Sequence, residues 1–262
     1  MNCIATKINN GRLGNMLFQI SCCISQAKKH NATPAIPEWV YAKYFKNPFP
    51  IGSISATHEY KEPSFNYTDI DFSHATAIYH RDSNVYDLQG YFQSEKYWAG
   101  NKQLILDQFE FSDYAIFGVY KKYRKDWFNG ARCAVHVRRG DYVGNPYYAQ
   151  LGMVYYMDAI AYVMNQYPSV RFYFFSDDIE YCKKMFVGDN FIFVEGNTDI
   201  ADLILMSLCD HIIGANSSFS WWGSYLQKEH GRFEKIKIFP QQWFTDQAID
   251  TKDLYLKEWI TL

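Results

Sequence analysis

Two regimes of hydrophobic patterning divide the chain. From residue 132 onward, short apolar runs alternate regularly with stretches of helical period. Strands are predicted at 132–138, 170–175, 191–194, 211–215 and 237–239. Helices are predicted at about 153–167, 179–186, 199–209 and from 216–223 to 227. Strands alternating with helices predict a parallel, doubly wound sheet. The first half is less regular. A strand at 3–8 runs through a Gly-rich turn into a helix at about 16–30, with Leu17, Ile20, Ile24 and Ala27 at helical spacing. Between 31 and 68 no period survives. Pro34, Pro37, Pro48, Pro50 and Pro63 interrupt an aromatic-rich stretch, and only a short strand near Pro34 is expected. A strand at 85–92 follows, then Ser94 as N-cap of a helix to about 109. A further helix at 112–127 carries Lys121, Lys122, Arg124 and Lys125, read as a solvated face. The length allows one large domain or two small ones.

Composition narrows the function classes. A net charge of -2 gives no reason to expect nucleic acid or an anionic membrane as partner. Cys3, Cys22, Cys23, Cys133, Cys182 and Cys209 form no CxxC pair, and most lie in apolar runs. They predict a reduced, cytoplasmic protein without disulfides or a zinc site. No signal-peptide pattern and no 18-residue apolar span is seen, so any membrane contact is expected to be peripheral. Aromatics at 19% suit sugar-facing platforms and an aromatic core equally.

The candidate chemistry gathers at strand ends. The stretch 134–142, AVHVRRGDY, begins as a buried strand and ends in a Gly140-Asp141 turn. Alternation places His136 and Arg138 on one face and Arg139 on the other. Ser176, Asp177 and Asp178 end the next strand, and Asn216, Ser217 and Ser218 end a third. In a parallel sheet these ends share one edge, where open α/β sheets bind ligands. Ser217 and Ser218 suit a helix N-cap. Equally, their hydroxyls and a helix N-terminus would hold a diphosphate, with Arg138 as a bidentate fork. Asp202, in a first helical turn, suits the helix dipole or a guanine edge. The turn Gly11-Arg12-Leu13-Gly14-Asn15 either packs tightly or turns backbone N–H groups toward an anion. Asp177 and Asp178 are adjacent rather than alternate, no His/carboxylate ligand spacing occurs, and no metal is expected.

These motifs resemble a known family. His136-Val137-Arg138-Arg139-Gly140-Asp141-Tyr142 is similar to the HxRRGDY signature of the α-1,2-fucosyltransferases, glycosyltransferase family 11. Gly11-Arg12-Leu13-Gly14-Asn15 with Phe18-Gln19 resembles that family's opening GGLGNQxFQ. Gly90-Tyr91-Phe92-Gln93-Ser94 with Tyr97-Trp98 resembles its middle block. Asp202-Leu203, Met206, Cys209 and Asn216-Ser217-Ser218-Phe219-Ser220-Trp221-Trp222-Gly223 resemble its C-terminal block. Arg12 departs from the usual second Gly, and Met16-Leu17 from Gln-Met. The resemblance implies a GT-B fold, two facing Rossmann-like lobes, 1–130 and 131–262, with the nucleotide sugar bound mainly by the C-terminal one and the acceptor side in the N-terminal one. It implies GDP-β-L-fucose as donor, inversion to an α-1,2 linkage on a β-galactoside of an oligosaccharide acceptor, and no essential metal or other cofactor. By position, Arg138 would hold the β-phosphate and His136 would lie by the guanosine. Asp202 would contact guanine, and Ser217, Ser218 and Phe219 the diphosphate region, with Ser176, Asp177 and Asn216 along the same edge. Gly11, Gly14 and Asn15 would approach the donor from the opposite lobe. Asp141 is the nearest carboxylate in the signature for a catalytic base. Two other readings stay open: a related fucosyltransferase making another linkage, such as α-1,6 or to a protein hydroxyl, and a non-catalytic nucleotide- or glycan-binding protein of the same fold.

Overall fold

The computed structural model describes residues 2–79, 84–124, 127, 130–228 and 232–262. Lys125, expected in a helix, lies outside the described residues. The chain divides into two compact units. One comprises Met1–Ser112 with Asp250–Leu256, and the other Asp113–Ile249 with Lys257–Leu262.

The first unit is built on β1 (Cys3–Ala5), β2 (Thr33–Ala35), β3 (His58–Lys61), β4 (Thr76–Ala77) and β5 (Val85–Gln89). Their order is β2-β1-β5-β3-β4, parallel except for the antiparallel edge strand β4. β1 stops three residues short of the apolar pattern, because the backbone turns at Ile8 (φ +45°) and Gly11 (φ +84°). Helix α1 (Leu13–Lys29) therefore starts earlier than expected, and buries Leu17, Phe18, Ile20 and Ile24. The helix expected to about 109 is broken. Ser94 Oγ accepts from Lys96 N at 3.3 Å and caps a 3₁₀ stretch, Glu95–Asn101. A non-helical Trp98, buried against Phe18, precedes α2 (Lys102–Gln108). The unpatterned stretch after β2 is held by rings instead of a backbone period. Trp39 stacks on Phe45 at 5.5 Å, and Phe45 stacks on Phe111 at 5.1 Å. Asp253 belongs to this unit, accepting from Ser94 Oγ through its carbonyl (2.6 Å) and pairing with Lys96 through its carboxylate.

The second unit follows the expected alternation closely. It contains α3 (Asp113–Tyr123), β6 (Arg132–Val137), α4 (Met153–Gln166), β7 (Arg171–Ser176), α5 (Ile179–Met185), β8 (Phe191–Phe193), α6 (Asp199–Ser207), β9 (His211–Ile213), α7 (Ser218–Tyr225), β10 (Lys237–Phe239) and β11 (Ile260–Thr261). All six strands are parallel, in the order β11-β10-β9-β6-β7-β8. Cys133, Val135 and Val137 of β6 join a core with α4 and α5, while His136 on the other face meets Phe219 of α7. Burial on both faces explains why β6 reads as a nearly continuous apolar run. At the start of the sheet, Asp210 clamps Arg132. Its Oδ2 accepts from Arg132 N (3.0 Å) and Nε (2.8 Å), and its Oδ1 from Nη2 (3.1 Å).

The fold class is the expected one, two Rossmann-like α/β units of the GT-B type. In the second unit, the strand order runs outward from β6 to β7 and β8, then returns to β9 and β10 on the other side. That reversal opens a crevice at the C-terminal ends of β6 and β9.

Candidate functional site

The residues expected at these strand ends do gather there. Register pairs Val137 with Ser176, so the next residues, Arg138 and Asp177, lie side by side. Arg138 Nη1 meets Asp177 Oδ2 at 2.6 Å, and its Nη2 pairs with Asp141. The guanidinium lies 5.1 Å from the Tyr142 ring centroid. Arg139 turns to other partners, as strand alternation requires. Its Nε donates to Asp178 Oδ2 at 3.2 Å, and its guanidinium stacks 3.5 Å over Tyr181. Asp177 Oδ1 also accepts from Arg139 N at 2.8 Å. Gly140 (φ +20°) permits this close approach, since a Cβ there would collide with the Asp177 carboxylate. Ser176 shapes the following turn, accepting from Asp178 N at 3.0 Å.

His136 is buried, 5.5 Å from the Phe219 ring, and its Nδ1 has no hydrogen-bond partner among the described residues. Burial, helped by the Arg138 charge, lowers its pKa to about 3, so the imidazole is neutral at physiological pH. Ser217 caps α7, its Oγ accepting from Phe219 N at 3.3 Å. Asn216 donates to Ala149 O (3.0 Å) and Trp243 O (2.8 Å), which ties two loops to the entrance of α7. Ser218 and Phe219 are half-buried in the first turn. Beside Arg138, Tyr142 stacks on Tyr148 at 3.9 Å, and the exposed Tyr147 packs on Tyr148 and Phe244.

Asp202 lies in the first turn of α6, and its Oδ1 accepts from Asn197 Nδ2 at 2.8 Å. Burial pushes its carboxyl up to about 6, against the opposing effects of Asn197 and Lys122. Lys122 adds to the sequence expectation. It is exposed, as expected, but its ammonium also donates to Glu195 O (2.8 Å), Gly196 O (3.0 Å) and Asn197 Oδ1 (2.7 Å).

In the first unit, the opening and middle sequence blocks meet. Gln93 Nε2 donates to Asn15 Oδ1 at 2.7 Å, and Asn10 Nδ2 to Gly90 O at 3.4 Å. Gly14 is buried in the first turn of α1. Glu62 was not singled out by the sequence. Its Oε2 accepts from Tyr91 N (2.8 Å) and Phe92 N (2.9 Å), and its Oε1 from the Tyr97 hydroxyl (2.9 Å). These bonds hold Phe92 at φ +53°. Burial raises the Glu62 pKa and the three bonds oppose it. A carboxylate in an unperiodic stretch before a proline gives no signal of this role. Gly11 has no room for a side chain, since a Cβ would collide with Asn15 Nδ2. Gly11→Ala should therefore cost about 1–3 kcal/mol from the positive φ, with more from the collision. An unchanged midpoint in urea denaturation would show that the turn yields.

Among the described residues, no group of three or more His, Cys, Asp or Glu side chains is placed to hold a metal ion. Among the same residues, no helix is long and apolar enough to cross a membrane. The six cysteines are unpaired thiols.

The sequence model of glycosyl transferase family 11 matches residues 2–262. The chain belongs to glycosyltransferase family 11. It is 34% identical over 187 residues to an α-1,2-colitosyltransferase of Escherichia coli, an alignment covering 66% of this chain and 61% of that protein. The O-antigen biosynthesis glycosyltransferase WbnK, also of Escherichia coli, is 30% identical over 68% of this chain and 61% of its own length. This family 11 chain thus spans about three fifths of both proteins. Galactoside α-(1,2)-fucosyltransferase 2 of Hylobates lar is 26% identical over 82% of this chain and 67% of that protein. Among solved structures, POFUT1 in complex with GDP-fucose superposes with a TM-score of 0.60 at 12% identity, over 90% of this chain and 97% of that one. The α-1,6-fucosyltransferase NodZ soaked with GDP-fucose gives 0.50 at 14%, over 86% and 92%. At these identities the likeness is one of fold.

Proposed function

We propose that this family 11 protein is an inverting transferase carrying L-fucose from GDP-β-L-fucose to the 2-hydroxyl of a terminal β-galactoside, in an α-1,2 linkage. The observation that carries the reading is the gathering of Arg138, neutral His136 and the N-terminus of α7 at the crevice between β6 and β9. In this reading the second unit binds the GDP-sugar and the first serves the acceptor. The donor roles of Gly11, Gly14 and Asn15 rest on the sequence resemblance alone. The α-1,2 relatives support the linkage.

The mechanism follows from charge. An inverting transfer passes through an oxocarbenium-like state in which negative charge grows on the β-phosphate. Arg138 and the first N–H groups of α7 would meet that charge, each donor worth on the order of 3 kcal/mol in comparable sites. Asp177 holds the Arg138 fork in place. Asp141, with a side chain 54% exposed, also pairs with Arg138. A diphosphate arriving at Arg138 competes with Asp141 and frees its carboxylate to accept the proton of the acceptor hydroxyl, an effect of about 10²–10⁴-fold. Ser176 and Asn216 hold the surrounding turns, and no step in this scheme uses a metal.

The 34% match to a colitosyltransferase supports a second reading, in which the sugar carried is colitose, fucose without its 3-hydroxyl. Both donors belong in one assay, with lactose, N-acetyllactosamine and galactosyl-N-acetylgalactosamine as acceptors and the linkage read by NMR. Asp202 can accept two N–H bonds from guanine, so GDP should bind at least about tenfold tighter than UDP or ADP by calorimetry. Activity should survive EDTA. An α-1,6 product, equal affinity for the three nucleotides, or activity lost to EDTA and restored by Mn²⁺ would each overturn the matching part of this reading.

A further inference from the structure

We propose that Lys122 is a positioning residue for base recognition: it orients the Asn197 amide, and through it the Asp202 carboxylate, for the paired N–H donors of a guanine base. The inference rests on the GDP-sugar reading above and adds to it a residue on a different helix, 80 positions from Asp202.

A lysine near the end of an exposed helix ordinarily leaves its ammonium in water. Lys122 is exposed, yet it spends three N–H bonds on one turn, two of them on the consecutive carbonyls of Glu195 and Gly196. The third goes to Asn197 Oδ1. An ammonium has only donors, so Asn197 must turn its oxygen toward Lys122 and its NH₂ toward Asp202. The Asn197 Nδ2 bond to Asp202 Oδ1 at 2.8 Å is the result. Asp202 Oδ2 has no hydrogen-bond partner among the described residues. The Glu195 carboxylate is engaged elsewhere, with Lys183 at 2.6 Å, so it does not compete for Lys122.

The chemistry of the ligand fits this arrangement. Guanine presents N1–H and N2–H side by side, and an ionised carboxylate accepts both, whereas a protonated one does not. Burial favours the protonated form of Asp202, whose carboxyl stands at about 6. The groups facing it are Lys122 and Tyr123 from α3, Asp199 from its own helix and Asn197 from the preceding loop. Helix α7, which packs on α6, carries no charged residue. Lys122 is the one cation among these groups. The sign follows directly. Affinity for guanine is present above the Asp202 pKa and lost as pH falls through it, and removing Lys122 moves that loss to higher pH.

The test is a calorimetric titration with GDP from about pH 5.5 to 8.5 on the native protein, Lys122→Met, Lys122→Arg and Asp202→Asn, each checked for native circular dichroism. Native affinity should fall below about pH 6. Lys122→Met should bind GDP about tenfold more weakly at near-neutral pH, with a smaller loss at the alkaline end and the pH midpoint displaced upward. Lys122→Arg, which keeps the charge, should retain most of the affinity. Asp202→Asn should bind weakly and keep only the pH dependence that ionisation of the GDP terminal phosphate, near about pH 6, imposes on every variant. A folded Lys122→Met with the native pH profile, or one weakened equally at every pH, overturns the inference while leaving the donor reading intact. If the native protein shows no preference for GDP over UDP, the donor reading fails first and takes this inference with it.

Discussion

Arg138→Lys should lower kcat by about 10²-fold or more, with GDP affinity changed less. The planar fork of Arg138 reaches Asp177 with one nitrogen and Asp141 with the other, while Tyr142 supports its face. A fork that spans two carboxylates can also span two phosphate oxygens, whereas Lys presents a single point charge. The loss should fall on kcat because charge on the leaving phosphate is greatest in the transition state. Arg138→Ala should be worse, since it also leaves Asp177 and Asp141 without their shared cation. Arg139→Lys should matter less. Arg139 orders the turn by bonding Asp178 and stacking on Tyr181, and contributes its backbone N–H to Asp177. Steady-state kinetics on the two Lys variants, each verified as folded, decide between the arginines. A larger kcat loss in Arg139→Lys would mean that the phosphate ligand has been assigned to the wrong one.

The second large effect is on stability, at the other end of the same sheet. Asp210→Ala should cost about 3–5 kcal/mol, because it leaves the mostly buried Arg132 guanidinium without its counter-charge. The Asp210 carboxylate also accepts from the Arg132 backbone N–H, so part of the loss is an orphaned edge bond between β6 and β9. Replacing both residues by apolar ones of similar volume should recover much of the loss. Kinetics measured well below the melting temperature should show a native kcat, since the clamp sits at the start of the strands and the proposed catalytic groups at their ends. Urea denaturation gives the stability, and a cost below about 1 kcal/mol would mean that solvent already pairs with these charges.

The difference between these two ends also explains what could be read from the sequence. Strands β6, β7 and β9 were legible because central parallel strands are buried on both faces and write uninterrupted apolar runs. His136 and Arg138 stood out against that background. The partners of Arg138 were less visible, since Asp177 reaches it only through the pairing of Val137 with Ser176. Lys122 is a surface charge, as the pattern predicts, but its role is hidden in sequence because its partners are two carbonyls and an amide more than 70 residues away. Glu62 and the stretch around β3 were opaque for a different reason. Ring packing and side-chain bonds to backbone organise them, and neither imposes a period of 2 or 3.6. Edge strands β4 and β11, with two residues each, are too short to carry any alternation.

The assignment of Asp250–Leu256 to the first unit has a practical consequence for anyone building hybrids of this chain with its relatives. The polypeptide leaves the first unit after Ser112, comes back to it at Asp250 and departs again at Lys257. Exchanging the N-terminal half by a single junction would thus transplant Ser94 and Lys96 without Asp253, the residue both of them bond. A functional chimera needs three junctions, and the small C-terminal insert must come from the same parent as the N-terminal segment.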